Sequence, residues 1–107
     1  MSARMPVHES RRKDFAQAAF EALARWWREE TRFQSSLHAM TEHPAYCAII
    51  ALGPEMVPLL LAELERSTDF WFVALHQLTG ADPVQPHERG HVEAMRQAWI
   101  QWGREHC

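Results

Sequence analysis

Large apolar side chains recur every three or four residues through most of this chain, and nowhere do they alternate with period two for long enough to make a strand. A 3.6-residue period buries one stripe of a helix, whereas a two-residue period buries one face of a strand. The spacing therefore predicts an all-α fold. Glycines and prolines cut the pattern into pieces, so a compact bundle of four to five short helices is expected. Helices this short are not stable alone, and the packing of their apolar faces must hold them.

Residues 1–12 carry Pro6 and scattered charges with little to pack, which predicts a flexible N-terminal tail ahead of one helical domain over 13–107. From Asp14 the helical pattern begins. Phe15, Ala19, Leu23, Trp26 and Phe33 form the expected core stripe, with Glu21, Arg25, Arg28, Glu29 and Arg32 on the outer face. Trp27 lies off that stripe, so it either widens the buried face or marks a contact surface. Ser35 or Ser36 is placed to cap a short turn carrying Leu37 and Met40. His43-Pro44 reads as a new helix start and Gly53 as its end. The next helix is expected from about Pro58 to Arg66. Ser67 or Thr68 then caps a helix with Phe70, Val73, Ala74 and Leu78 on one face, stopped by Gly80. "ADPVQPHERG" is a loop by composition. The last helix carries Val92, Met95, Trp99 and Trp102 at steps of three, four and three, with Trp99 expected in the core.

Five Trp and five Phe in 107 residues supply much ring area for a small core. The formal charge of −3 gives no electrostatic footprint for nucleic acid. Arg11, Arg12, Lys13, Arg25, Arg28 and Arg32 are the residues on which a weak nucleic-acid accessory role would rest. Cys47 lies in an apolar run and Cys107 ends the sequence, so both read as free thiols of a reducing compartment. The first residues lack the apolar core of a signal peptide. The longest apolar stretch, "VPLLLAEL", is far short of a membrane span. A cytoplasmic chain with no membrane contact is expected.

"HERGH" matches the zinc-peptidase spacing His-Glu-x-x-His, with His87 and His91 as ligands and Glu88 as base. That chemistry needs both histidines one turn apart on a formed helix, plus a third protein ligand. Pro86 directly before the motif, Gly90 inside it and the charged flanks Arg89 and Glu93 all favour a loop ending at Gly90 instead. The zinc hydrolase remains the alternative reading, and otherwise no metal or cofactor is expected. His76, set among apolar residues, reads as a hydrogen-bonded packing residue, and His43 as a group orienting a helix start. There is no Gly-rich phosphate loop, and no serine has an evident base. Cys47 reads as a small core residue.

Phe70, Trp71 and Phe72 are consecutive, so on one helix they cannot all face one core. Exposed aromatics are enriched at interface centres. Trp71, Trp27 and Trp102 are the candidate interaction anchors, against a protein partner or a second copy, with Trp71 as the outward member of the triplet.

"IIALGPEMVPLLLAEL" resembles a HEAT-type repeat unit, with Ile50, Leu52, Gly53, Pro58, Leu59, Leu60 and Leu64 on the family's pattern. The wider stretch from His43 to Gly103 resembles a group of small uncharacterised bacterial proteins. The shared features are His-Pro-Ala-Tyr (43–46), Trp-Phe-x-Ala-Leu (71–75), Thr-Gly-x-x-Pro (79–83) and Trp-x-x-Trp-Gly (99–103). The resemblance implies HEAT-like helix pairing in a closed bundle, since a solenoid needs more stacked repeats. It also implies a small stand-alone product encoded beside another small gene. The functional expectation is a non-enzymatic protein–protein interaction module, regulating or neutralising a neighbouring gene product as an antitoxin or immunity protein does.

Overall fold

The structure, a computed structural model, describes residues 6–67 and 69–106, with side chains from residue 11 onward. It is all-α. Among the described residues there are six α-helices and no strand: α1 (Pro6–Thr31), α2 (Leu37–Thr41), α3 (Pro44–Ala51), α4 (Met56–Arg66), α5 (Phe72–Thr79) and α6 (Val92–His106), with a 3₁₀ turn at Pro86–Glu88. Where one domain over 13–107 is expected, the described residues fall into two units that divide in the last turn of α3, between Ile49 and Ile50. No helix among them is long and apolar enough to cross a membrane.

In the first unit α1 begins at Pro6, eight residues before the expected start at Asp14, so residues 6–12 are helical. Proline fits the first helical turn, where its missing N–H has no intrahelical role. The Arg-Arg-Lys run that follows is a good helix former and needs no apolar stripe, because it is solvated. Residues 1–5 of the expected tail lie outside the described residues.

The buried face of α1 is Ala16, Phe20, Ala24, Trp27 and Thr31, at steps of four, four, three and four. This corrects the expected stripe by about one residue, roughly 100° around the helix. Trp27 is 2% exposed, tilts against Tyr46 of α3 at 5.4 Å between ring centroids, and donates its indole N–H to the Met40 carbonyl at 2.8 Å. Ser36 caps α2 as expected, its Oγ accepting from the Ala39 N–H at 3.2 Å. Ala45, Tyr46 and Ile49 form the inward side of α3.

In the second unit α6 packs on α4 and α5. α4 turns Met56, Val57, Leu60, Leu61 and Leu64 inward. Pro58 lies in its first turn, where it breaks no helical hydrogen bond. Gly53 (φ +94°) precedes it, and Gly80 (φ +75°) ends α5 as expected. Arg96 of α6 donates from Nε to the Leu64 carbonyl and from Nη2 to that of Glu65 at 3.0 Å. A guanidinium thus closes the negative end of α4.

The segment before α5 departs from expectation. Ser67 does not start that helix. It closes α4, giving its N–H to the Glu63 carbonyl at 2.9 Å and accepting the Asp69 N–H on Oγ at 3.4 Å. α5 starts only at Phe72; the alternative cap Thr68 lies outside the described residues. On α6 the most buried positions are Trp99, Ile100 and Gly103, while Val92 is exposed.

Candidate functional site

Two of the three tryptophans named as anchors are not at the surface. Trp71 is fully buried and stands at the N-cap of α5 with φ −95° and ψ 7°. Phe70, Trp71 and Phe72 do not lie on a single helix. Phe70 instead precedes the helix, half-buried, with its ring edge-on to Phe72 at 4.9 Å. The chain bend at Trp71 lets that ring and Phe72 turn inward together. Trp27 is likewise core. Trp102 is half-buried, its ring 5.5 Å from Trp99 and stacked on His106 at 4.5 Å.

The exposed aromatics are those expected to be buried. Phe15 is 71% exposed, Trp26 41% and Phe33 92%, and Leu37 at the start of α2 is exposed too. Phe15 and Trp26 are 11 residues apart, about three helical turns, so they share one face of α1, about 120° around the helix from Phe20 and Trp27. Phe33 lies in the turn just past the helix end, with the Arg32 guanidinium over its ring at 5.6 Å.

Trp26 is held by a polar cluster. The His43 ring meets its edge at 5.2 Å between centroids. His43 Nδ1 accepts the Ala45 N–H at 3.0 Å, so the ring proton lies on Nε2, which donates to Glu30 Oε1 at 2.7 Å. His43 thus caps α3 and fastens it to α1, the orienting role expected of it. The hydrogen bond from His43, and after it one from Trp26, holds the Glu30 carboxyl below the usual carboxylate range. Both ring nitrogens of His43 are engaged by the fold itself.

The zinc motif does not lie on one helix. His87 sits in the 3₁₀ turn, Gly90 takes φ +89°, and His91 precedes α6. Glu88 is a capping group: its carboxylate accepts the Gln85 N–H at 2.9 Å. The loop ending at Gly90 is as read from Pro86 and Gly90. Among the described residues no three His, Cys, Asp or Glu side chains converge as metal ligands.

A shallow cleft of about 260 Å³ lies alongside this loop, with Phe70, Phe72 and Trp99 in its wall and His76, Asp82 and Arg89 at its rim. At its rim Arg89 Nη2 pairs with Asp82 at 2.8 Å, and His76 Nδ1 donates to the Ala81 carbonyl at 2.8 Å across the Gly80 turn. The His76 ring is exposed rather than packed. Cys47 is exposed, not a core residue, and Cys107 lies outside the described residues. Arg11, Arg12, Lys13, Arg25 and Arg32 are exposed, but Asp14, Glu21, Glu29 and Glu30 stand among them on α1, so no face of one sign forms.

Comparison of the chain with protein-family models, with curated proteins and with solved structures gave no match.

Proposed function

We propose that this chain is a non-enzymatic protein–protein interaction module and that it binds through the outward face of α1. The observation that carries this reading is the exposure of Phe15, 71%, on one side of α1 with Trp26, 41%, and of Phe33, 92%, just past the helix end, while another side of the helix is packed. An apolar row of that size on water is costly at about 25 cal/mol per Å² and is relieved by a partner. Aromatic rings with charged neighbours are the composition of interface centres and their rims. Glu88 is engaged as a cap, His43 caps α3 and His76 closes a turn, while His87 and His91 do not share a helix, which supports binding over catalysis. The resemblance to small bacterial proteins encoded beside another gene supports a narrower form, in which the module, whatever covers the α1 face, regulates or neutralises that neighbour's product in the cytoplasm. Harmlessness of the neighbouring product when expressed alone would remove the narrower form.

Photo-crosslinking in the native cell tests the reading. A photoreactive residue is placed at position 15, at 33, or at the exposed polar position Gln97 of α6. Covalent protein adducts from 15 and 33 but not from 97 are expected. No adduct from 15 or 33, or equal adducts from 97, overturns it.

A further inference from the structure

Resting on that reading, we infer that the occupant of the α1 face is a second copy of this chain, packed antiparallel about a twofold axis at Phe20–Glu21. On a 3.6-residue helix Phe15, Ala18, Ala19, Ala22 and Trp26 fall within about 60° of one line. All are exposed or half-buried. The charges around that line are distributed by end. Arg11 and Arg12 straddle it near the N-terminal end, and Glu29 and Glu30 straddle it near the C-terminal end, all four exposed.

Reversing a second helix about the midpoint between residues 20 and 21 sets Phe15 against Trp26 of the second copy, at both ends of the contact. It sets Ala19 against Ala22 in the middle, where small side chains let two helices approach to the lower part of the usual 8–10 Å spacing. Arg11 then meets Glu29 of the second copy on one flank, and Arg12 meets Glu30 on the other. Asp14 meets Arg25 beside the first pair. Every charged pair is attractive, and the surface is complementary to itself, as a twofold contact requires. A parallel arrangement lays Arg11 on Arg11 and Glu29 on Glu29, so the charges choose the direction. One helix pair of about 20 residues is at the low end of interface sizes, so the association is reversible and concentration-dependent.

The test is a pair of intermolecular distances. Cys47 and Cys107 are replaced by Ser, and a spin label is attached at Glu21→Cys or at Arg32→Cys, both exposed positions outside the proposed contacts. In the antiparallel pair the two labels at 21 are offset by about 1.5 Å along the axis and those at 32 by about 35 Å. A short distance from 21 with a long one from 32 is expected, and Phe15→Ser should abolish both. Sedimentation should show Arg11→Glu weakening the dimer about fivefold and Glu29→Arg restoring it in the double variant. Equal distances from the two sites, or no intermolecular distance at high concentration, overturns the proposal. If position 15 still crosslinks to a different protein in the cell while no self-distance appears, the interaction reading stands and the second-copy assignment falls.

Discussion

The indole N–H of Trp27 lies 2.8 Å from the carbonyl oxygen of Met40 and donates to it, tying α1 to the end of α2. That bond and the ring's burial set which side of α1 faces inward. Trp26, one residue earlier, is thereby left on the outside.

Trp27→Ala is expected to cost ~3–5 kcal/mol, the usual loss for a buried Trp, and to bring the chain near unfolding. Trp27→Phe keeps most of the ring but loses this one hydrogen bond, while the Met40 carbonyl still accepts the His43 N–H at 3.4 Å, so the cost is ~0.5–1.5 kcal/mol. Trp26→Ala should move the melting temperature by only a few degrees. Circular dichroism melts of the three variants check the ranking; an early melt for Trp26→Ala with a late one for Trp27→Ala reverses the assignment.

Trp71→Ala and Trp99→Ala should both unfold the protein to a similar degree, since both rings are buried, at 0% and 2% exposure. Urea titrations followed by far-ultraviolet dichroism measure this. A Trp71→Ala variant as stable as wild type would return that ring to the surface.

Gly103 is where α6 meets α4. A Cβ built there lies 2.9 Å from Cδ1 of Leu61. That methyl is the end of a flexible side chain and can yield, and alanine gains ~1 kcal/mol over glycine inside a helix. Gly103→Ala should therefore be within ~1 kcal/mol of wild type, whereas Gly103→Leu should overpack the contact at ~1–3 kcal/mol. Adding Leu61→Ala to Gly103→Leu should recover part of that loss, because the two sites share one space.

Acid should loosen the fold through two carboxylates. Glu30 is held low by the hydrogen bond from His43 and then by that from Trp26, and Glu93 by Gln97 and then by the Arg96 charge. A carboxyl whose folded value lies below its unfolded one stabilises the fold above the unfolded value; the contribution disappears as pH falls through the folded value. Melting temperature should accordingly fall as the medium is acidified below the ordinary carboxylate range. Glu30→Gln should flatten that slope and lower the neutral plateau slightly, both groups being exposed and screened by salt. Identical slopes for the two proteins would show that the His43–Glu30 contact does not form in solution.

Helix punctuation was legible in the sequence because it depends on local backbone chemistry: Ser36 at a cap, Gly53 and Gly80 with positive φ, Pro58 in a first turn, Gly90 breaking the zinc motif. The phase of α1 was not. Two stripes run along it at three- and four-residue steps, Phe15–Ala19–Leu23–Trp26 and Ala16–Phe20–Ala24–Trp27, and each carries two aromatic rings. Periodicity cannot choose between them; the Met40 carbonyl and the Tyr46 ring do, and both come from elsewhere in the chain. The same gap hid the candidate surface, whose residues were visible but assigned to the core. At Trp71 the missing information was a bend, since nothing in "STDFWFVAL" signals that the helix waits until Phe72.

Hydroxyl-radical footprinting over a concentration series tests most directly whether α1 keeps Trp27 in the core and offers Phe15 and Trp26 to a partner. In dilute protein Phe15 and Trp26 should oxidise quickly, and both should become protected as concentration rises, while Trp27 and Trp71 stay protected throughout. Oxidation of Trp27 as fast as Trp26, or rates at Phe15 and Trp26 that do not change with concentration or with added host extract, would contradict the account.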